Sequence, residues 1–244
     1  MTTESSTVGL QPWTDGPYLA FDVETTDRDP FEARIISASV LLLGFEIDQA
    51  SHWLINPGVE IPEEVTRIHG ITNEMVSSGR EPKGAIEEIT QKLQAAWKNT
   101  PPVPVVVFSA PYDMTVLLHE RDRHGLPLVP FGPIVDPLVI DRRFDRYRGG
   151  KARLEDCCRV YNVDGGDPHD PASDARAAAR ILWRQVRRYP EVGTATLEEL
   201  QVLQAVWHRD WAADFQDFLR YRAREPKPDA VIEGDWPVRQ RSLV

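Results

Sequence analysis

The order in which apolar segments occur constrains the fold of this chain more than any other feature. Three strand-like stretches come first and close together, at 18–23 (YLAFDV), 35–44 (IISASVLLLG) and 51–55 (SHWLI). Aromatic and β-branched residues separated by short polar connections predict an antiparallel meander there. The period then changes. Ala85, Ile86, Ile89, Leu93, Ala96 and Trp97 recur at helical spacing and predict an amphipathic helix that Pro101 and Pro102 stop. A buried strand is expected over 103–108 (VPVVVF), then a helix over 112–124 with Gly125 as its C-cap. The segment 153–161 puts Leu154, Cys157, Cys158 and Tyr161 on one face, and a helix after Pro171 turns Ala175, Ala178, Ala179, Leu182 and Val186 inward. A last helical stretch covers 196–224, followed by a tail rich in proline and charge that is expected to be extended. Strands first, then helices alternating with strands, predict an α/β layer architecture: a mixed β-sheet flanked by helices, with a C-terminal helical extension. The expected division is a flexible lead-in over 1–16, a main domain over 17–190, and a helical extension with extended tail over 191–244.

The 28 basic and 38 acidic side chains give a formal charge of −10. That excludes a protein that coats nucleic acid by bulk positive charge. It does not exclude an enzyme whose acidic residues hold cations, because bound cations offset that charge locally. No apolar run is long enough to span a bilayer, so no membrane partner is expected. The first residues lack a basic n-region and an apolar h-region, which makes the cytoplasm the expected location. Cys157 and Cys158 are the two cysteines and are adjacent, so neither a disulfide framework nor a CxxC zinc site is expected.

The strongest chemistry lies in 21–26 (FDVETT). Residues two apart on a strand project from one face, so Asp22 and Glu24 stand side by side at the end of an apolar strand. Paired carboxylates there repel and resist desolvation unless a cation joins them. Taken alone, the pair fits two solvated charges equally well. Further acids follow: Asp113 after the buried strand, in 109–113 (SAPYD), and Asp174 on the first turns of the next amphipathic helix. His169 stands five residues before Asp174, on the preceding loop.

With these residues the chain resembles the DEDDh 3′→5′ exonucleases of RNase H-like fold, a group that includes the proofreading epsilon subunit of bacterial DNA polymerase III. Asp22 and Glu24 match the first motif, Asp113 the second, and His169 with Asp174 the third; 68–72 (IHGIT) resembles the epsilon-type segment between the first two. The resemblance covers about residues 18–188, and three motifs in order make chance agreement small. Two departures stand out. Ser109 occupies a position where the family usually has asparagine, and Pro171 one where it usually has alanine. Neither removes a carboxylate.

The resemblance implies an exonuclease domain over 17–190 with two divalent cations, Mg²⁺ or Mn²⁺, which suit an all-carboxylate site. It implies Asp22 as the ligand bridging both ions, Glu24 and Asp174 on the nucleophile side, and Asp113 on the leaving-group side. His169 is implied as the general base; an unperturbed imidazole titrates near pH 6.5, which suits that role. A lone loop histidine is more often a surface residue, and its spacing from Asp174 favours the base reading. Low in the order of implication come substrate contacts at Thr25, Thr26, His69 and Ser109.

Arg148 and Lys151 belong to the densest basic strip, with Arg142, Arg143, Arg146, Arg153 and Tyr147. The strip fits a track for a single-strand backbone and fits a solvated loop equally. Trp207, Trp211, Phe215 and Phe218 in the last helical stretch fit packing onto the domain better than a partner surface or a base-stacking platform. The final residues, 240–244 (QRSLV), faintly resemble the short motif by which replication proteins bind a sliding clamp. The expected substrate is nucleic acid with a free 3′ end, single-stranded DNA first, with a polymerase or sliding clamp as partner. The alternatives are an exoribonuclease with the same metals, or a non-catalytic nucleic-acid-binding module; the intact set of five site residues argues against the second.

Overall fold

The computed structural model describes residues 11–44, 48–146, 148, 152–167 and 169–241. Strand β1 (Tyr18–Thr25) is apolar on both faces over its first half, and it lies in the middle of the sheet. It pairs antiparallel with β2 (Ile35–Leu43), which pairs antiparallel with β3 (Asp48–Leu54). On its other flank β1 runs parallel to β4 (Val105–Val106), and β4 runs parallel to β5 (Ile134–Val135). The order is β3-β2-β1-β4-β5. Helices α1 (Glu63–His69), α2 (Asn73–Ser77) and α3 (Pro82–Lys98) follow β3, and α4 (Ala110–Arg123) follows β4. Beyond β5 come α5 (Pro137–Phe144), α6 (Leu154–Tyr161), α7 (Pro171–Arg188), α8 (Pro190–Thr194) and α9 (Leu197–Asp217), which runs on into a π-helical turn at Phe218–Arg222. This is the mixed sheet with flanking helices that the segment order implied, in the RNase H-like arrangement.

The sheet separates two apolar cores. Leu19, Phe21 and Val23 pack with Ile86, Ile89 and Leu93 of α3 and with Met114 and Leu117 of α4. Tyr18 and Ala20 face the other side, against Ala175, Ala178, Ala179 and Leu182 of α7. The alanines give α7 a narrow face that sits close over β1 and β2, and each large side chain fully buried in such a core contributes about 1.5–3 kcal/mol.

Some elements escape the linear pattern. The strand expected over 103–108 forms a ladder at Val105–Val106 alone, although Pro104 accepts from Leu19 N–H and Val107 N–H donates to Val135. Prolines upstream and the turn at Ser109 leave no room for more. Helices α1 and α2 and strand β5 are too short to show a period. Residues 11–16, expected to be part of a loose lead-in, are held: Gln11 N–H donates to Gly193 (2.8 Å) and Trp13 Nε1 to Ala195 (2.8 Å).

Helix α9 closes the open edge of the sheet. Gln204, fully buried, accepts from Asp136 N–H (2.7 Å) and donates to the Ile134 carbonyl (3.0 Å), while Gln201 accepts from Ile134 N–H (3.2 Å). Two side-chain amides thus take the place of a sixth strand. Leu197, Leu200 and Trp207 bury themselves in the α7-side core. The tail returns across the molecule: Trp236 and Val238 pack on the α4 side, Arg239 N–H donates to Thr115 Oγ1 (2.9 Å), and Arg241 pairs with Glu32. Among the described residues no helix is long and apolar enough to cross a membrane.

Candidate active site

The alternation of β1 sets the first two acids. Tyr18, Ala20, Asp22 and Glu24 share the α7 face, so the strand begins that face in the core and ends it with carboxylates. Their partners on β2 are small: Ser39 opposite Asp22 and Ser37 opposite Glu24, which leaves space beside each acid. The β1–β2 register shifts between Glu24 and Thr25. There the strand end is knotted down: the Tyr112 hydroxyl bonds Thr25 Oγ1 and the Asp27 carbonyl, and Thr26 exchanges bonds with Arg34.

Asp113 arrives from the other flank. Because the β4 ladder stops at Val106, the N–H of Val23 has no strand partner on that side, and Asp113 Oδ1 accepts it at 3.2 Å. The turn into α4 is made by Ser109 in the left-handed region (φ 68°), its N–H held by Asp136 Oδ1 at 3.0 Å and that of Ala110 by Oδ2 at 2.9 Å. The Ser109 hydroxyl makes no helix cap. Asparagine tolerates that backbone better than serine, and here Asp136 and Val23 fix the turn and Asp113 instead.

The third motif opens α7. Asp170 caps the helix, accepting from Ser173 N–H (3.0 Å) and Oγ (2.9 Å), and Pro171 fits the first turn, where no N–H is needed. Asp174 follows one turn in, above the end of β1. His169, exposed, turns the chain at φ 64°, and Gly166 (φ +71°) lets the loop pass Ser173 so closely that a Cβ would meet its Oγ at 2.9 Å. Glu24, His169 and Asp174 each bring a ligand atom within 4.8 Å of the others.

Electrostatics ties Asp22 and Asp113 to the same cluster. Burial, then the charges of Asp113, Asp174, Glu24 and Asp170, hold the Asp22 carboxyl well above the usual carboxylate range. Asp113 is raised by burial and by Glu24 and Asp136, against the pull of the Val23 N–H. Burial with Asp174 and Asp170 pushes Glu24 up to about 8, and burial pushes Asp174 up to about 6 despite the opposing influence of His169. A group of acids that all resist ionisation together is a site that gains from positive charge. The donor set is carboxylate oxygen with one imidazole beside it, which fits a hard divalent cation. Asp170 was not among the expected site residues, although an Asp-Pro-x-Ser start is a legible helix cap; Tyr112 and Asp136 carry no such local signal.

Each residue of the 69–72 segment has a place in the local fold. His69 ends α1, Gly70 takes the left-handed turn (φ 75°), Ile71 is buried with Ile36, Ile61, Val65 and Val76, and Thr72 caps α2. His69 Nδ1 accepts from Ile71 N–H (3.0 Å), which leaves the proton on Nε2, buried and facing the Thr25 backbone. Burial lowers the pKa of this imidazole, the Thr25 backbone raises it and His169 lowers it, so His69 stands beside both. Of the expected substrate contacts, Thr25 and Thr26 are buried at the strand end. Arg148 is turned onto Asp141 (2.6 and 2.8 Å) and Asp145 (3.0 Å). Lys151 and Tyr147 lie outside the described residues. Arg142 and Arg143 are helical, on α5, over the rings of Trp211 and Trp207. Both cysteines are buried and free.

Residues 19–182 match the RNase_T family, described as exonuclease. The chain is 25% identical over 230 residues to the 3′-5′ exonuclease DinG of Bacillus subtilis, covering 93% of this chain and 24% of that one. It is 26% identical over 171 residues to the DNA polymerase III subunit epsilon of Rickettsia conorii, covering 67% of this chain and 70% of that one. It therefore spans about a quarter of DinG's length. The fold is similar to that of Escherichia coli exonuclease I in complex with a dA16 oligonucleotide, with a TM-score of 0.63, 14% identity, and coverage of 83% of this chain and 43% of that one. With the match covering most of its length, the chain belongs to the RNase_T exonuclease family.

Proposed function

We propose that this chain is a divalent-metal-dependent 3′→5′ exonuclease that releases nucleoside monophosphates from single-stranded DNA. The observation that carries the proposal is the gathering of Glu24, Asp174 and His169 within 4.8 Å, with Asp22 and Asp113 coupled to them. Two Mg²⁺ or Mn²⁺ ions, held by Asp22, Glu24, Asp113 and Asp174, would neutralise the charge of the phosphoryl group under attack. The residues' own work is separable from that. The strand holds Asp22 and Glu24 parallel, and Val23 N–H fixes the orientation of Asp113. His169, exposed at the mouth of the site, accepts the proton of the attacking water; Asp174 beside it stabilises the imidazolium that forms. His69 presents Nε2–H to the Thr25 backbone at the end of β1, beside which the terminal nucleotide binds. The 3′→5′ polarity and the DNA preference follow the names of the relatives, DinG and the epsilon subunit. The tail at 240–244, whose residues 242–244 lie outside the described ones, is assigned to a sliding clamp or polymerase on its sequence alone; deleting it should abolish clamp capture, and unchanged capture removes that partner.

The test is a gel assay of the purified chain with Mg²⁺ or Mn²⁺ on single-stranded DNA, duplex DNA and RNA, each labelled at either end. A descending ladder from the 5′-labelled strand, suppressed by EDTA, is the expected result. Immediate release of the 5′ label reverses the polarity. Faster loss of RNA than of DNA reassigns the substrate, through recognition of the 2′-hydroxyl.

A further inference from the structure

The aromatic residues of α9 divide into two sets. Trp207 is buried and meets Phe144 edge-on (5.6 Å). Trp211, Phe215 and Phe218, about one, two and three turns further on, belong to none of the apolar clusters. Their ring planes are nearly parallel, at 16° and 10°, with centroids 5.5 and 6.3 Å apart, and Phe215 and Phe218 are 37% and 44% exposed. The helix widens to π geometry at Phe218, whose carbonyl accepts from Ala223 N–H (2.8 Å). Such turns often mark functional sites.

This row forms one wall of a groove of about 610 Å³. The rest of the lining carries Arg142, Arg146, Arg148 and Arg153 with Asp141 and Asp145, an excess of guanidinium in a chain of net charge −10. Arg142 lies 3.4 Å from the Trp211 ring centroid, and Arg146 and Arg222 share Asp214. Arg153 lines the groove at the start of α6, and the next residues, Leu154 and Glu155, line a second cavity of about 300 Å³ together with Asp174.

We propose that this groove binds the single strand upstream of the scissile end, with bases packed on the exposed Phe215 and Phe218 rings and phosphates facing the arginines. Flat parallel rings accept any base, and guanidinium groups match phosphate oxygens. Arg148 is paired with Asp141 and Asp145 and Arg146 with Asp214, so a phosphate competes with those carboxylates, and the excess of guanidinium over carboxylate in the lining favours a polyanionic strand over an apolar protein partner. The proposal rests on the exonuclease reading for the identity of the strand that reaches Asp174, but strand binding can be read without hydrolysis.

Fluorescence anisotropy of the full chain in EDTA, with 5′-labelled oligothymidylates of about four and about twenty nucleotides, makes the measurement within the usual range of such sites. The wild type should prefer the long strand. Phe215→Ser with Phe218→Ser, both exposed positions, should weaken long-strand binding about tenfold or more and bring the long-to-short affinity ratio toward one. Phe215→Tyr should keep the preference. Arg153→Glu should weaken long-strand binding and flatten its salt dependence by about one phosphate contact. Thermal melts verify that each variant is folded. Equal long-strand affinity in the wild type and the double variant overturns the proposal and gives the aromatic row to a protein partner. Failure of the wild type to hydrolyse any strand in Mn²⁺ would count against the active-site proposal alone, since anisotropy decides the groove separately.

Discussion

Replacing Glu24 by glutamine should make the metal-free protein more stable, and only at high pH. Burial, Asp174 and Asp170 raise the Glu24 carboxyl from 4.5 to about 8. Between those values the folded chain holds a proton that the unfolded chain has released, so stability falls as pH rises. The penalty is absent below the unfolded value and complete above the folded one. At about 1.4 kcal/mol per pH unit it reaches about 5 kcal/mol. The site is open to solvent on one side, and screening there reduces the expected effect to about 2 kcal/mol. For a chain of this size that corresponds to about 4–8 °C in Tm. Glutamine keeps the shape of the side chain and removes the titration. Thermal melts in EDTA should therefore coincide for wild type and Glu24→Gln near pH 4.5 and separate by that amount at pH 8, the variant melting higher. Millimolar Mn²⁺ should reverse the order, because binding stabilises the protein that binds more tightly. A difference that is the same at both pH values, or equal stabilisation of both proteins by Mn²⁺, would refute the reasoning.

Other expectations follow from the same geometry. Asp22→Ala and Asp174→Ala should abolish nucleotide release while circular dichroism stays native; robust release by either variant contradicts the metal-ligand assignment. His169→Ala should lower kcat by about 10²–10⁴-fold, the scale of a positioned base, with little change in metal-induced stabilisation. Gln204→Leu leaves Asp136 N–H without its side-chain partner, while the Ile134 carbonyl keeps its bond from Gln201 Nε2, so denaturant unfolding should show a loss of about 1–3 kcal/mol. Ser109→Asn places a residue suited to the left-handed turn at φ 68° and should raise stability by about 0.5 kcal/mol, read by the same unfolding experiment.

Much of the candidate site was legible in the linear chain because its informative features are local. A two-residue strand period puts Asp22 and Glu24 on one face whatever the rest of the chain does, and the Asp170-Pro171 start places Asp174 one turn into α7. The order of strand and helix periods is enough to imply the mixed sheet. What the chain alone does not disclose depends on contacts between distant residues. Val23 holds Asp113 across 90 positions because β4 ends early, and Gln204 reaches Asp136 across 68 to cover the sheet edge. Trp207 and Trp211 look alike as residues of one helix; only the packing of α5 against α9 buries the first and leaves the second beside Arg142. The raised pKa values of the acids likewise belong to the assembled cluster, since repulsion and desolvation act through space and have no signature in sequence separation.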